Sequence, residues 1–290
     1  KIKIKEPFKG LFTQGMVCHQ TYKDKNNNWL SPDEVFSNDG VNFHIKDQPN
    51  SPVNVGPSES MSKSKKNTID LEKIIQIYGA DAVRLFILSD SPPEKDIQWS
   101  ESGMSSSFKF IQKFWSLSND MNNLIKKDKI STKKEIEIFT NQSINKINFA
   151  LEKFRYNVII AVFHEIYSYL KKLLDENKNY ENLEKNFKKI LIVMSPVIPH
   201  ITSECLNQMD VKNNLSWPEI EKKYLKSDEK IIVIQINGKK RNTIKITNEI
   251  EENKLIEKIK EMKLVEKYIN NMKIIKTIYV KNKIINIIVK

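Results

Sequence analysis

The spacing of apolar side chains changes twice along this chain, and each change predicts a different kind of structure. Through the first sixty or so positions the apolar runs are short. Residues 7–17, "PFKGLFTQGMV", end in a buried-strand pattern. Residues 20–60 set Trp29-Leu30, Val35-Phe36 and Val41 to Ile45 among many Asn, Asp, Ser, Pro and Gly residues. That mixture predicts small strands and turns, an insertion rather than a core.

From Asp70 the period lengthens. Asp70 is a natural N-cap for "LEKIIQIY", and Gly79 is a natural stop. A second short helix, "ADAVRLFILS", is closed by Ser91-Pro92-Pro93. In 101–127, Met104, Phe108, Ile111, Trp115, Met121 and Ile125 recur at helical steps. Residues 133–153 follow with Ile136, Phe139, Ile147, Leu151 and Phe154, and 156–176 with Val158, Val162, Ile166, Tyr169 and Leu173. A fourth helix over 181–195 is stopped by Pro196 and Pro199, with a shorter one after His200. Short connections between such helices predict an antiparallel bundle.

Beyond Trp217-Pro218 the period falls to two. "KIIVIQINGKKRNTIKIT" alternates on both sides of Asn237-Gly238, a strong signal for a hairpin with a two-residue turn. A helix fits 249–270, and "IIKTIYVKNKIINIIVK" supplies two more strands. The tail from about 229 therefore reads as β-β-α-β-β.

Charge adds a direction. The 290 residues carry 48 Lys and Arg against 36 Asp and Glu, a net +12, which suits an anionic partner such as nucleic acid. The abundance of Lys, Ile and Asn is also what an AT-rich genome produces, so the charge alone selects no partner. The chain opens at Lys1 on "KIKIKEPFKGLF", which reads as the middle of a longer protein. No apolar run is long enough to span a bilayer, and Cys18 and Cys205 form neither a zinc pattern nor a disulfide framework. A reduced, cytoplasmic protein without a membrane partner is expected.

Common nucleotide loops fail. Gly10 and Gly15 have P-loop spacing, but Met16 stands where the lysine must be, and no GxGxxG occurs. His19, His44, His164 and His200 are scattered, so no metal site is expected, and His164 reads as a bundle residue. The stretch Ser60 to Asn67, "SMSKSKKN", is different, with no apolar residue between Ser62 and Thr68. A pyrophosphate leaving group gathers negative charge as its bond to the α-phosphate breaks. Lys63 can meet that charge as a flexible point cation, with Ser62, Ser64 and backbone N–H groups as further donors. Such preorganised donors are typically worth roughly a hundredfold to a thousandfold in rate each. The same composition equally describes a solvated linker.

"MSKS" followed by Lys65, Asn67 and Asp70, and then "YGADAVRLFIL", closely resembles the signature loop of class I aminoacyl-tRNA synthetases. Three flanking segments narrow the resemblance to the bacterial leucine-specific branch. They are "EPFKGLFTQGMV", "SPPEKDIQWSESGMSSSFKFIQKFW", and the tail pair "VIQINGKKRNTIKI" with "IYVKNKIINIIV". The likeness runs along essentially the whole chain.

The resemblance implies a multidomain fragment. Residues 1–104 would be the end of an α/β, Rossmann-like nucleotide-binding domain, with an insertion at about 20–58 and the signature loop at 60–67. Residues 105–226 would be a helical bundle of the anticodon-binding type, and 227–290 a small α+β tRNA-binding domain. It implies ATP with Mg2+, leucine and leucine tRNA as substrates, no zinc in this chain, and a monomeric complete enzyme. It gives Lys63 the catalytic charge, and Ser60, Met61, Ser62, Lys63, Ser64 and Lys66 the contacts to ATP and pyrophosphate. Two departures stand out: Ser60 replaces the first lysine of the signature, and Lys66 occupies a position usually Gly or Asn. The family's His-x-Gly-His motif, leucine pocket and editing domain would precede Lys1.

Lys239, Lys240 and Arg241, at the hairpin tip, are the second candidate, able to meet a phosphate backbone together. The alternative is a charged strand edge that deters pairing. The resemblance favours tRNA. Two rival functions stay open at this stage: a synthetase for isoleucine, valine or methionine, and a non-catalytic RNA-binding protein.

Overall fold

The computed structural model describes residues 6, 8–211, 216–225, 230–246, 250–262, 265, 268–269, 272–281 and 283–290. The chain divides into two compact units, Lys1–Glu221 and Lys222–Lys290. The expected boundary at 226/227 lies outside the described residues.

In the first unit, strand β1 (Val17–Lys23) is the organiser. It pairs with β2 (Trp29–Leu30), antiparallel with β6 (Asn54–Ser60), and parallel with β7 (Ile97–Gln98). Between β2 and β6 lies a separate small sheet of β3 (Val35–Phe36), β4 (His44–Ile45) and β5 (Gln48–Pro52). The expected insertion is thus a detour between two paired strands. The strand itself begins later than its apolar pattern suggests. Leu11 and Met16 are exposed, and the paired residues start at Val17. Gly15 is no phosphate loop: its backbone lies against the 93–96 turn, with its N–H donating to Pro93 O at 2.8 Å. A Cβ there would come within 2.1 Å of Lys95 O.

Helix α1 (Leu71–Tyr78) starts where expected, with the Asp70 carboxylate accepting from Glu72 N and Lys73 N. Gly79, at φ +80°, joins it directly to α2 (Ala80–Ser89). The bundle comprises α3 (Glu101–Ile125), α4 (Lys134–Glu152), α5 (Tyr156–Glu176), α6 (Leu183–Met194) and α7 (Pro199–Asn207). Its core centres on Phe114, Met121, Ile144, Phe163, Ile166 and Phe187, all essentially inaccessible.

The helix faces are rotated from the pattern expected. In α3 the buried stripe runs through Phe110, Phe114, Leu117, Met121 and Leu124, and Ile111, Trp115 and Ile125 flank it. In α5, Ile159, Phe163 and Leu170 take the centre, while Val158 is largely exposed. Phe154 lies past the end of α4, exposed, in left-handed backbone at φ +52°. These long helices contact neighbours on more than one side, so a single stripe underestimates what they bury. Two short strands, β8 (Lys129–Ile130) and β9 (Asn179–Tyr180), also tie the α3–α4 and α5–α6 connections together in parallel.

The second unit is a four-stranded sheet in the order β11-β10-β13-β12. Its strands are β10 (Lys230–Ile236), β11 (Lys239–Ile246), β12 (Ile274–Val280) and β13 (Ile284–Val289), with α8 (Glu252–Lys260) between β11 and β12. Beyond Lys260, half of the positions of the expected 249–270 helix (263, 264, 266, 267 and 270) fall outside the described set. Ile232, Ile234, Ile285 and Ile287 from the central parallel pair meet Leu255 and Ile259 of α8.

Candidate functional site

The Lys/Ser loop starts where β6 ends beside β1. Cys18 pairs with Ser60, and Met61 N donates to Val17 O at 3.2 Å. One buried side chain then closes the loop's neck. Asn67, 0% exposed, accepts from Ser62 N through Oδ1 at 2.8 Å. Its Nδ2 donates to His19 O and Glu59 O, each at 3.2 Å. The amide therefore satisfies both strand ends and the loop backbone at once. A hydrocarbon could not do this, because the carbonyls would be left without donors.

Within the neck the loop is a compact turn. Ser62 Oγ lies 3.2 Å from Ser64 Oγ and accepts from Lys65 N at 3.3 Å. Lys66 N donates to Lys63 O at 3.2 Å, and Lys66 itself is left-handed at φ +53°. Both hydroxyls are thus engaged in shaping the turn. Ser60, Met61 and Ser62 sit at the neck, whereas Lys63 and Ser64 form the exposed apex.

The loop's lysines have unequal surroundings. Lys65 is ion-paired with Glu59 of β6. Lys66 lies 3.7 Å from Glu34 of the insertion. Among the described residues, the Lys63 ammonium has no carboxylate or hydrogen-bond acceptor and stands in solvent. Lys66, expected to add charge beside Lys63, instead has its own carboxylate partner; both ends of that pair are about half exposed, so it is weakly held. Glu34 is held below the usual carboxylate range, first by the Ser31 backbone N–H. Among the described residues of the loop, Lys63 is the lysine without a carboxylate partner. Sequence reasoning missed Glu34, Glu59 and the role of Asn67, because nothing in their local pattern marks them as loop partners.

His19, in β1 next to the neck, is displaced below the ordinary histidine value by burial. Neutral imidazole therefore dominates there at neutral pH. His164 is exposed on α5, edge-on to Phe110 at 4.7 Å, in keeping with a bundle residue. Among the described residues no group of three His, Cys, Asp or Glu side chains could hold a metal ion.

The second candidate follows the Asn237-Gly238 turn. Ile236 pairs with Lys239, and both turn residues have positive φ, +49° and +77°, the combination that an Asn-Gly hairpin satisfies. The Asn237 side chain also binds the backbone of Val289, which pins the hairpin to β13. Asn242 pairs with Ile234 and Lys240 with Gln235, leaving Arg241 as the extra residue of a bulge. Lys239, Lys240 and Arg241 are all exposed on an edge strand, and the Arg241 guanidinium lies 4.0 Å from the Tyr268 ring centre. Both the phosphate-binding and the edge-protecting reading survive this geometry.

Two family models match the chain. Residues 53–100, which contain the loop, match tRNA synthetases class I (I, L, M and V). Residues 133–260 match the anticodon-binding domain of tRNA ligase. A solved structure, the ternary LeuRS-tRNA-LeuAMS complex of Agrobacterium radiobacter K84 agnB2, shares the fold. It superposes with a TM-score of 0.60 over 80% of this chain and 31% of that one, at 23% identity. Both family matches and the shared fold make this chain similar to a part of the class I tRNA synthetases.

Its curated relatives are more particular. It is 38% identical over 99% of its length to a leucine–tRNA ligase of Rickettsia bellii (strain RML369-C), covering 34% of that protein. It is 37% identical over 99% to a leucine–tRNA ligase of Orientia tsutsugamushi (strain Boryong), again covering 34% of it. The chain is similar to a portion of leucyl-tRNA synthetase, and spans about a third of the length of these relatives.

Proposed function

We propose that this chain is the C-terminal third of a leucine–tRNA ligase, which activates leucine with Mg-ATP and transfers it to leucine tRNA. In this reading, leucine's carboxylate attacks the α-phosphate, leucyl-adenylate forms, and pyrophosphate leaves. The tRNA's terminal 2′-OH then attacks the adenylate carbonyl, forming the leucyl ester as the anhydride bond breaks and AMP leaves with the hydroxyl proton lost to solvent. Residues 1–104 close the nucleotide-binding domain, 105–226 form the bundle, and 227–290 bind tRNA. The protein works in the cytoplasm, which suits two free, buried cysteines.

The observation that carries this reading is the unequal pairing of the loop's lysines. Lys65 and Lys66 face Glu59 and Glu34, which leaves Lys63 as an exposed cation without a carboxylate partner above a hydrogen-bonded neck. That is the arrangement a leaving pyrophosphate needs. The charge is held unpaired until the anion arrives, so no native ion pair has to be broken first. Lys63 transfers no proton; it stabilises charge. Ser62 and Ser64 shape the turn and offer hydroxyls when the phosphates displace their mutual contact. Ser60, at the end of β6, is too short to reach where a lysine would, so the site operates with one fewer cation.

The test is leucine-dependent ATP–pyrophosphate exchange by the complete protein. Lys63→Ala is expected to lower the exchange rate at least a hundredfold, the worth of a preorganised charge, while tRNA affinity changes less than twofold. Exchange that depends on isoleucine, valine or methionine instead of leucine would overturn the specificity. An unchanged rate in Lys63→Ala would remove that residue from the mechanism.

A further inference from the structure

The loop's distal end is attached to the bundle by a pair of charges that the chemistry above does not use. After Asn67 the chain enters α1, which contributes no buried residue and leaves Leu71, Ile75 and Ile77 exposed. Its hold comes from Ile74 and Tyr78, which are partly buried against the cluster of α2 and α3, with the Tyr78 ring edge-on to Phe108 at 5.6 Å. Its place is therefore set by α2, to which Gly79 joins it, and by α3.

Helix α2 is gripped firmly. Leu85 enters the bundle core, while Ala82, Val83 and Phe86 pack with Met104 in a second cluster. Between these faces, Asp81 and Arg84 bind the elbow between α6 and α7. Pro196 and Pro199 stand in this elbow, where each removes a backbone donor. Arg84 donates to two carbonyls of this elbow, Nε to Val197 O at 2.9 Å and Nη2 to Pro196 O at 2.7 Å. One turn away, Asp81, 6% exposed, accepts from His200 N at 3.3 Å and Ile201 N at 2.7 Å, the first free amides of α7. The His200 ring nitrogen lies 2.9 Å from the same carboxylate. The cation meets the carbonyls and the anion meets the amides, so each sign faces the helix-end polarity it complements.

We propose that Asp81 and Arg84 are positioning residues, holding the 60–67 loop in register with the helical bundle through α2 and α1. This rests on the reading of that loop as the phosphate-facing element. The coupling needs no long-range wire. It consists of an elbow, a clamped helix, a one-residue joint and an eight-residue helix seated through Ile74 and Tyr78 on the cluster that α2 and α3 build. Loosening the clamp shifts α1 and so pulls on the Asn67 end of the neck that carries Lys63. A displacement of an ångström at a catalytic group is enough to cost about a hundredfold in rate.

Two measurements on the complete protein test this. The first is the rate of trypsin cleavage after Lys63, Lys65 and Lys66, with cleavage after Lys153 and Arg155 in the α4–α5 turn as the internal control. Arg84→Ala is expected to speed the loop cleavages about tenfold and leave the control unchanged, with Arg84→Lys restoring most of the protection. The second is leucine-dependent exchange, where Arg84→Ala lowers kcat about tenfold to a hundredfold with KM for leucine unchanged. Arg84 lies at the surface, so its variants keep the fold even where Asp81→Ala does not. Loop cleavage at the wild-type rate in Arg84→Ala overturns the proposal. So does a uniform rise at loop and control sites, which marks a merely structural role. Failure of the wild-type protein to exchange with leucine overturns the ligase reading and leaves the cleavage result standing.

Discussion

Asn67→Ala removes three heavy atoms, yet it strips the neck of the lysine loop of the side-chain amide that ties it together. The amide oxygen holds Ser62 N at 2.8 Å, and the amide nitrogen holds His19 O and Glu59 O at 3.2 Å each. Each bond nets about 1 kcal/mol, and each orphaned group that stays buried adds to the loss, so the neck loses about 3 kcal/mol. The chain has two compact units, so this does not translate into one global unfolding energy. Local opening is the right measure. Hydrogen exchange at the Ser62 amide is expected to accelerate about a hundredfold in Asn67→Ala, with amides in α5 unaffected. Asn67→Asp should do no better. It keeps the acceptor for Ser62, but replaces the donor by a carboxylate oxygen facing the carbonyls of His19 and Glu59. An unchanged Ser62 exchange rate in Asn67→Ala would refute the claim that this residue closes the loop.

Two further outcomes follow from the geometry. Glu176 is held below the usual carboxylate range, first by its hydrogen bond from Lys133 and then by Tyr180, against an opposing burial effect. A depressed carboxylate contributes stability above its unfolded value of 4.5, which disappears as pH falls through the lower folded value. Thermal melts of wild type and Lys133→Met should therefore differ at neutral pH and converge in acid, and a constant gap down to acid pH would contradict this. In the second unit, replacing Lys239 and Lys240 together by Ala should reduce the slope of log affinity against log salt for tRNA by about two. Arg241, engaged with the Tyr268 ring, is expected to contribute less to that slope, and an unaltered slope in the double variant would favour the edge-protecting role.

Local chemistry was readable without coordinates wherever a few adjacent residues decide the outcome. Asp70 caps α1 because a short carboxylate can reach its own following amides, and Asn237-Gly238 turns because both residues tolerate positive φ. The β-β-α-β-β order of the tail followed from period and punctuation. The composition of "SMSKSKKN" identified a cationic loop, and its neighbours supplied the family resemblance.

Tertiary structure decided which charge is free and what holds it. Lys63, Lys65 and Lys66 are equivalent as letters; Glu59 and Glu34, brought in by β6 and the insertion, make them different. Asn67 reaches back to His19, and Asp81 and Arg84 reach forward to the α6–α7 elbow. The centres of the helix faces were likewise settled by several neighbours rather than by one stripe. The physical reason is the same in each case. A side chain's own segment sets its backbone conformation, whereas its partner, and with it its charge and reach, comes from chain that only folding brings near.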